Sequence, residues 1–219
     1  MCWNPTVSIN TFVFSIFVLI IVIYNNTYTE YKIPELNFFV YLFFISFVLM
    51  QLVEFFLWRN LNNKYYNYIF SVFGLFLITV QPFFSLLIIK NLYIRNVLSS
   101  VYIIPAFSFF LYQLAFNKNI NTSLTKNGHL HWNWANINNK VLFNVLLGVW
   151  LFFLGFSFLY EKIYYLLIFG IISYIISLYT FSKDGSYESI WCWSINILFL
   201  YYAFLILIYL PFRECIQQN

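Results

Sequence analysis

Glu54 is a carboxylate inside a long apolar run that carries almost no other charge. In a helix, Gln51, Glu54 and Trp58 would lie within roughly 60° of one another on a single stripe. An ionisable side chain at the centre of a bilayer costs about 2.5–3.5 kcal/mol, so it indicates a candidate functional site. Glu54 is also close in sequence to Arg59, so a position near the membrane interface, paired with Arg59 or Lys64, is the alternative.

Zinc or copper could be bound by a second group of side chains, because thiolates and imidazoles are among their preferred ligands. The group comprises Cys2, His129, His131 and Cys192. Glu54 could add a fifth ligand or act as a general base, although the spacing matches no zinc-finger or zinc-protease motif. The alternatives are a surface-loop role for the two histidines and, for Cys192, the role of a small buried apolar residue.

Two further roles for Cys2 follow from its position. If Met1 is removed, Cys2 carries a free α-amine beside its thiol, which predicts a nucleophile activated by that amine or by a histidine. A disulfide between Cys2 and Cys192 would instead be purely structural and would require an oxidising compartment. Three cysteines are too few for a disulfide scaffold.

The composition is that of a membrane protein. Of 219 residues, 63% are hydrophobic and only 8% are charged, whereas soluble domains carry roughly 25% charged residues. The net charge of +4 comes without a basic run, so no nucleic-acid partner is predicted. The expected partner is the lipid bilayer, and the expected location is integral and multi-pass.

Hydropathy predicts an all-α fold, a polytopic membrane bundle of seven transmembrane helices in one domain. The predicted spans are 5–24, 37–58, 66–89, 97–116, 141–159, 162–181 and 188–210. A polar loop at 117–140 is the longest connection. Pro82 and Pro105 predict kinks inside the third and fourth spans, and Pro211 predicts the end of the seventh.

With seven spans, the N-terminus and the loops at 59–65, 117–140 and 182–189 share one side, called here the N-terminal face. Six of the seven tryptophans, both histidines, two of three cysteines and Glu54 fall on or near it. Interfacial preference explains part of the tryptophan pattern, but it predicts aromatic belts on both faces. The site is therefore predicted on the N-terminal face. Six Lys and Arg residues there against five opposite leave the membrane orientation undecided.

Two known seven-helix classes set requirements that this sequence does not meet. Retinal proteins need a Schiff-base lysine in the last span, and 188–210 contains none, so retinal is not expected. Some seven-helix hydrolases hold zinc on histidines within their helices, whereas both histidines here lie in one loop.

The opening Met1-Cys2-Trp3-Asn4-Pro5, together with the Gln51, Glu54 and Trp58 stretch, carries a family resemblance. It resembles uncharacterised multi-pass membrane proteins that begin Met-Cys-Trp-(Asn/Ser)-Pro and are seen in large DNA viruses of protists and some microbes. The resemblance implies a membrane location, is compatible with a viral source and brings no activity with it.

The favoured function is a transporter or small-molecule-binding membrane protein with its pocket on the N-terminal face. The predicted lining residues are Gln51, Glu54, Trp58, Trp191 and Cys192. The alternatives are a membrane-embedded enzyme that uses a metal or a cysteine from the same cluster, and a structural viral or host membrane protein. Amides elsewhere are predicted to form interhelical hydrogen bonds, worth about 0.6 kcal/mol each; they are Gln81, Gln113, Asn144 and Asn196.

Overall fold

The computed structural model describes residues 4–135, 137 and 139–217. Within these residues, seven helices are long and apolar enough to cross a membrane. They are α1 (Pro5–Tyr28), α2 (Phe38–Arg59), α3 (Lys64–Leu86), α4 (Leu92–Phe116), α5 (Lys140–Tyr160), α6 (Tyr164–Phe181) and α7 (Tyr187–Phe204). The predicted all-α bundle of seven transmembrane helices is confirmed.

Asparagine side chains begin five of these helices. Each accepts hydrogen bonds from backbone N–H groups of the first turn, which have no partner inside the helix. The capping residues are Asn4, Asn37, Asn63, Asn91 and Asn139. The caps explain where the predicted bounds were wrong: α3 begins at Lys64 and α4 at Leu92, directly after Asn63 and Asn91.

The helices form a bundle in which α3 is the shared neighbour of α2, α4 and α5. On the other side, α6 packs against α5 and α7, and α7 returns to α1. Ser85 and Trp150 fix the α3–α5 contact. Ser85 Oγ donates to the Leu154 carbonyl at 2.6 Å, and Trp150 Nε1 donates to the Ile78 carbonyl at 2.9 Å.

The segment predicted as a polar loop at 117–140 contains an antiparallel hairpin of β1 (Asn121–Leu124) and β2 (Leu130–Asn133). Asn67 of α3 anchors the hairpin, because its side chain bonds both the N–H and the carbonyl of Thr122. Trp134 then packs so tightly on Gly74 that a Cβ there would lie 2.3 Å from the indole ring. The hairpin therefore closes over the bundle on the N-terminal face.

The prediction that Pro211 ends the last helix is wrong. A π-helix (Leu205–Tyr209) follows α7, and a short helix, α8 (Leu210–Gln217), contains Pro211. The backbone stays helical at Phe204 and Leu210, on either side of the π-helix. The π-helix is therefore a bulge inside one continuous apolar span, Tyr187–Arg213, that runs through Pro211. Pro82 and Pro105 lie inside α3 and α4.

Candidate functional site

Gln51 and Glu54 lie at the contact of α1, α2 and α7, called here the polar seam. Both side chains are fully buried. The Ser189 hydroxyl of α7 donates to Glu54 Oε1 at 2.9 Å, and the Thr11 hydroxyl of α1 lies 3.2 Å from Gln51 Oε1. Neither residue lines the cavities described below, so the two most unusual residues of the sequence serve a helix contact in this structure.

Trp58 lies apart from both of them. It borders a surface groove of ≈ 1000 Å³ between the 59–65 loop and strand β1. The sequence placed Trp58 on one stripe with Gln51 and Glu54, and a single turn of helix separates it from the buried carboxylate. Trp58 is half-buried against the core, and its indole nitrogen is buried without a hydrogen-bond partner among the described residues.

Trp191 and Cys192, the other two predicted lining residues, do share a cavity. This cavity of ≈ 870 Å³, called here the central cavity, lies between α3, α4, α5, the hairpin and the beginning of α7. His131 lines it at the N-terminal face. It extends inward to Gln81, which lies roughly 25 Å along α3 from Lys64 at a rise of about 1.5 Å per residue.

The central cavity is open to the side, between α4 and α5. Both helices pack on α3, but they make only marginal backbone contact with each other. Leu146 and Val149 of α5 line the cavity and are still 38% and 47% exposed. Farther from the N-terminal face, Tyr102 of α4 meets Phe153 of α5 with ring centroids 5.1 Å apart, which closes the cavity at that level. The opening therefore faces the region that lipid would occupy.

Gln81 is the most unusual polar group of the central cavity. Its side chain is fully buried, and among the described residues neither Oε1 nor Nε2 has a hydrogen-bond partner. The prediction that it forms an interhelical hydrogen bond is wrong. Asn196 does form one, because its Oδ1 lies 2.5 Å from the Ser15 hydroxyl of α1. Gln113 Oε1 accepts a bond from Asn117 at 3.2 Å, four residues on.

His131 and Glu188 form the polar end of the central cavity at the N-terminal face. His131 Nδ1 lies 2.7 Å from the Gly185 carbonyl, which can only accept, so Nδ1 carries the proton and Nε2 is the other ring nitrogen. Gly185 has φ +67°, and a Cβ there would lie 3.0 Å from the imidazole ring, so both conformation and space require glycine. Glu188 is half-buried and accepts a bond from the Tyr187 hydroxyl at 3.1 Å.

Trp191 forms the wall between the central cavity and a second, apolar cavity. Its indole N–H donates to Ser173 Oγ at 3.0 Å, and its ring meets Tyr174 and Trp150 at angles of 74° and 75°. Behind it lies the apolar cavity of ≈ 500 Å³, between α2, α5, α6 and α7. Trp191 and Tyr174 border both cavities, so neither ring can move without changing both.

The predicted metal ligands do not converge in the part of the chain that the structure describes. There, no group of three or more His, Cys, Asp or Glu residues is arranged to hold a metal ion. The His129 ring packs edge-on against Phe181, while His131 bonds Gly185. Cys192 is a buried free thiol. Cys2 lies outside the described residues, so its roles as zinc or copper ligand, as nucleophile and as disulfide partner stay predictions.

Several residues of the central cavity were not predicted from the sequence. Glu188 is next to the predicted Trp191–Cys192 pair, and the missed signal was its position in the first turn of the last span. Tyr174 gave no signal among nineteen tyrosines. Gln81 was predicted to form an interhelical hydrogen bond and not to line a cavity.

Comparison of the chain with family models, with curated proteins and with solved structures found no match. Membership of the family that the N-terminal motif suggests stays a prediction. The seven apolar helices are those expected of a multi-pass membrane protein. Its function is inferred below from the chemistry of the central cavity.

Proposed function

We propose that this membrane protein binds a small amphiphilic molecule in the central cavity and carries it between the bilayer and the N-terminal face. The observation that carries the proposal is Gln81. A buried polar group without a partner costs about 1–3 kcal/mol, so such groups are rare without a reason. A primary amide offers two N–H donors and one acceptor oxygen. A hydroxyl or amide group of a ligand can both accept from Nε2 and donate to Oε1, and so would satisfy both sides of Gln81.

The size and lining of the central cavity support a small ligand. Its ≈ 870 Å³ lies within the range of roughly 300–1,000 Å³ typical of ligand pockets. The lining is mostly apolar and aromatic, with a few polar groups. Among the described residues, no Lys or Arg lines it. Carboxylates and phosphates are usually held by such cations, so the cavity favours a neutral or cationic ligand over an anion.

The side opening between α4 and α5 supports access from the membrane. Amphiphilic molecules concentrate in the bilayer, and an opening at that level lets them enter without crossing the hairpin. Leu146 and Val149 give the opening an apolar rim, and Asn144 adds an exposed amide beside them. Such a path leads from lipid to the polar end at His131 and Glu188.

Two matched ligands test the proposal with the full chain in detergent or nanodiscs. Octanamide carries a neutral amide that can pair with Gln81, and octanoate has the same chain length with an anionic head. Trp150 and Trp191 line the cavity, so intrinsic fluorescence reports binding. We expect octanamide to bind at least tenfold more tightly than octanoate.

Two matched variants complete the test. Gln81→Leu should weaken octanamide binding at least tenfold, because the amide that recognises the head group is lost. Gln51→Leu is the control, since Gln51 is equally buried but lies in the polar seam. Equal octanamide binding by wild type and Gln81→Leu, or no binding by the wild type, would overturn the proposal.

A further inference from the structure

The polar end of the central cavity combines one carboxylate with several aromatic rings. Glu188 lines the cavity, and three aromatic rings line the same cavity: Tyr174, Tyr187 and Trp191. Tyr187 bonds the carboxylate directly through its hydroxyl. Tyr174 contacts the rings of both Tyr187 and Trp191.

The Tyr174 ring stands at a steep angle to each of the other two rings. Tyr174 meets Tyr187 at 75° with centroids 6.4 Å apart, and it meets Trp191 at 74° with centroids 5.1 Å apart. Rings at such angles present both their faces and their edges to the space that they border. The face of an aromatic ring attracts a cation that lies within about 6 Å of its centroid, most strongly where water is excluded.

We propose that this end of the central cavity binds an organic ammonium cation, with Glu188 as its counter-charge and the three rings as its walls. The inference rests on the proposed function and names the class of its substrate. Gln81, buried and without a partner among the described residues, independently indicates that the same cavity takes a ligand. The polar end would hold the ammonium head, and the apolar length of the cavity would hold the rest of the molecule.

A metal ion fits this end less well than an organic cation. Metal ions need several ligands, and the described residues contain no group of three His, Cys, Asp or Glu arranged for one. An alkylammonium ion has no such requirement, because one carboxylate and aromatic faces stabilise it. His131 would leave only Nε2 as a ligand atom, because its Nδ1–H is directed to the Gly185 carbonyl.

Choline and its neutral isostere, 3,3-dimethyl-1-butanol, have nearly the same shape, but only choline carries a positive charge. Comparing their affinities therefore measures the contribution of the charge. We expect the full-length protein to bind choline at least tenfold more tightly than the isostere, as measured by tryptophan fluorescence in nanodiscs. Glu188→Gln should abolish this preference. The matched control is Glu161→Gln, because Glu161 is similarly half-buried but lies on the opposite face, beside Lys90.

A second pair of variants tests the aromatic walls. Tyr174→Phe keeps the ring, whereas Tyr174→Leu removes it, so the phenylalanine variant should bind choline at least fivefold more tightly than the leucine variant. A wild type that binds octanamide but shows no preference for choline over its isostere would overturn this inference alone. A wild type that binds neither octanamide nor choline would overturn the proposed function with it.

Discussion

The polar seam and the central cavity contain the same two kinds of residue, a buried glutamine and a glutamate, in different surroundings. In the seam, Glu54 accepts a bond from Ser189, and Gln51 Oε1 bonds Thr11, with only Gln51 Nε2 unpartnered among the described residues. In the cavity, Gln81 has neither amide atom paired among those residues. Burial of a polar group is therefore not enough to propose a ligand site. The proposal for Gln81 depends on its burial beside a cavity and on the lack of a partner among the described residues.

The strongest destabilisation is expected at the hairpin, which closes the central cavity and has no part in the polar seam. Gly74→Val would place side-chain atoms where the Trp134 ring lies, so we expect the free energy of unfolding to fall by about 3 kcal/mol. The hairpin should also become sensitive to protease, and octanamide binding should be lost. Thermal denaturation and limited proteolysis measure both effects.

Gly148→Val is the matched control for that change. A Cβ at Gly148 meets nothing within 4 Å, so the same substitution on α5 should leave the Tm within a degree or two of wild type. If Gly74→Val were as stable as Gly148→Val, the contact between Trp134 and α3 would not hold the hairpin in place.

Removing one hydroxyl donor from each carboxylate compares Glu54 and Glu188 directly. The expected losses of stability are smaller than that for the hairpin. Ser189→Ala takes a donor from fully buried Glu54, and removing one partner of a buried hydrogen-bonding group costs about 1–3 kcal/mol, so the loss should fall in that range. Tyr187→Phe takes a donor from half-buried Glu188, where cavity solvent can replace it, and should cost about 0.5 kcal/mol. Chemical denaturation of the two variants gives both values.

If the two variants ranked in the opposite order of stability loss, the roles inferred for the polar seam and the central cavity would be reversed. If Tyr187→Phe were the more destabilising variant, Glu188 would belong to the packing of the bundle and Glu54 would become the better candidate for ligand binding. Choline titration of Ser189→Ala then provides the cross-check, since that variant should keep the preference for choline over its neutral isostere.

The fold was largely predictable from the sequence, whereas the grouping of the site residues was not. Long apolar runs fix seven spans, because backbone polar groups must be satisfied within the bilayer. The hairpin was missed because its strands are four residues each and lie in an Asn-rich segment without clear alternation. Sidedness correctly brought His131 and Trp191 to the same face.

Knowing which residues lie on the N-terminal face does not tell which of the helices contact one another there. Glu54 and Glu188 lie at similar depths, and the choice between seam and cavity depends on which helices touch. The α3–α5 contact, set by Ser85 and Trp150, leaves α4 separated from α5 and so creates the cavity. Contacts between helices distant in sequence leave no local pattern, and a single sequence therefore does not reveal them.

One substitution in the central cavity is expected to stabilise the free protein rather than destabilise it. Gln81→Leu removes a buried amide that has no partner among the described residues and replaces it with an apolar side chain of similar size, so it should raise the free energy of unfolding by about 1 kcal/mol. Gln51→Leu loses one bond to Thr11 and removes one unpartnered Nε2, so it should change stability by less than about 0.5 kcal/mol. Chemical denaturation without ligand measures the difference.

Saturating octanamide should then reverse the order of wild type and Gln81→Leu. A ligand that binds only the folded state stabilises it in proportion to its affinity, and the wild type should bind more tightly. A functional residue that lowers stability in the free protein is expected where binding needs an unsatisfied group. If Gln81→Leu instead destabilised the free protein, Gln81 would have a structural role and the contrast between cavity and seam would fail.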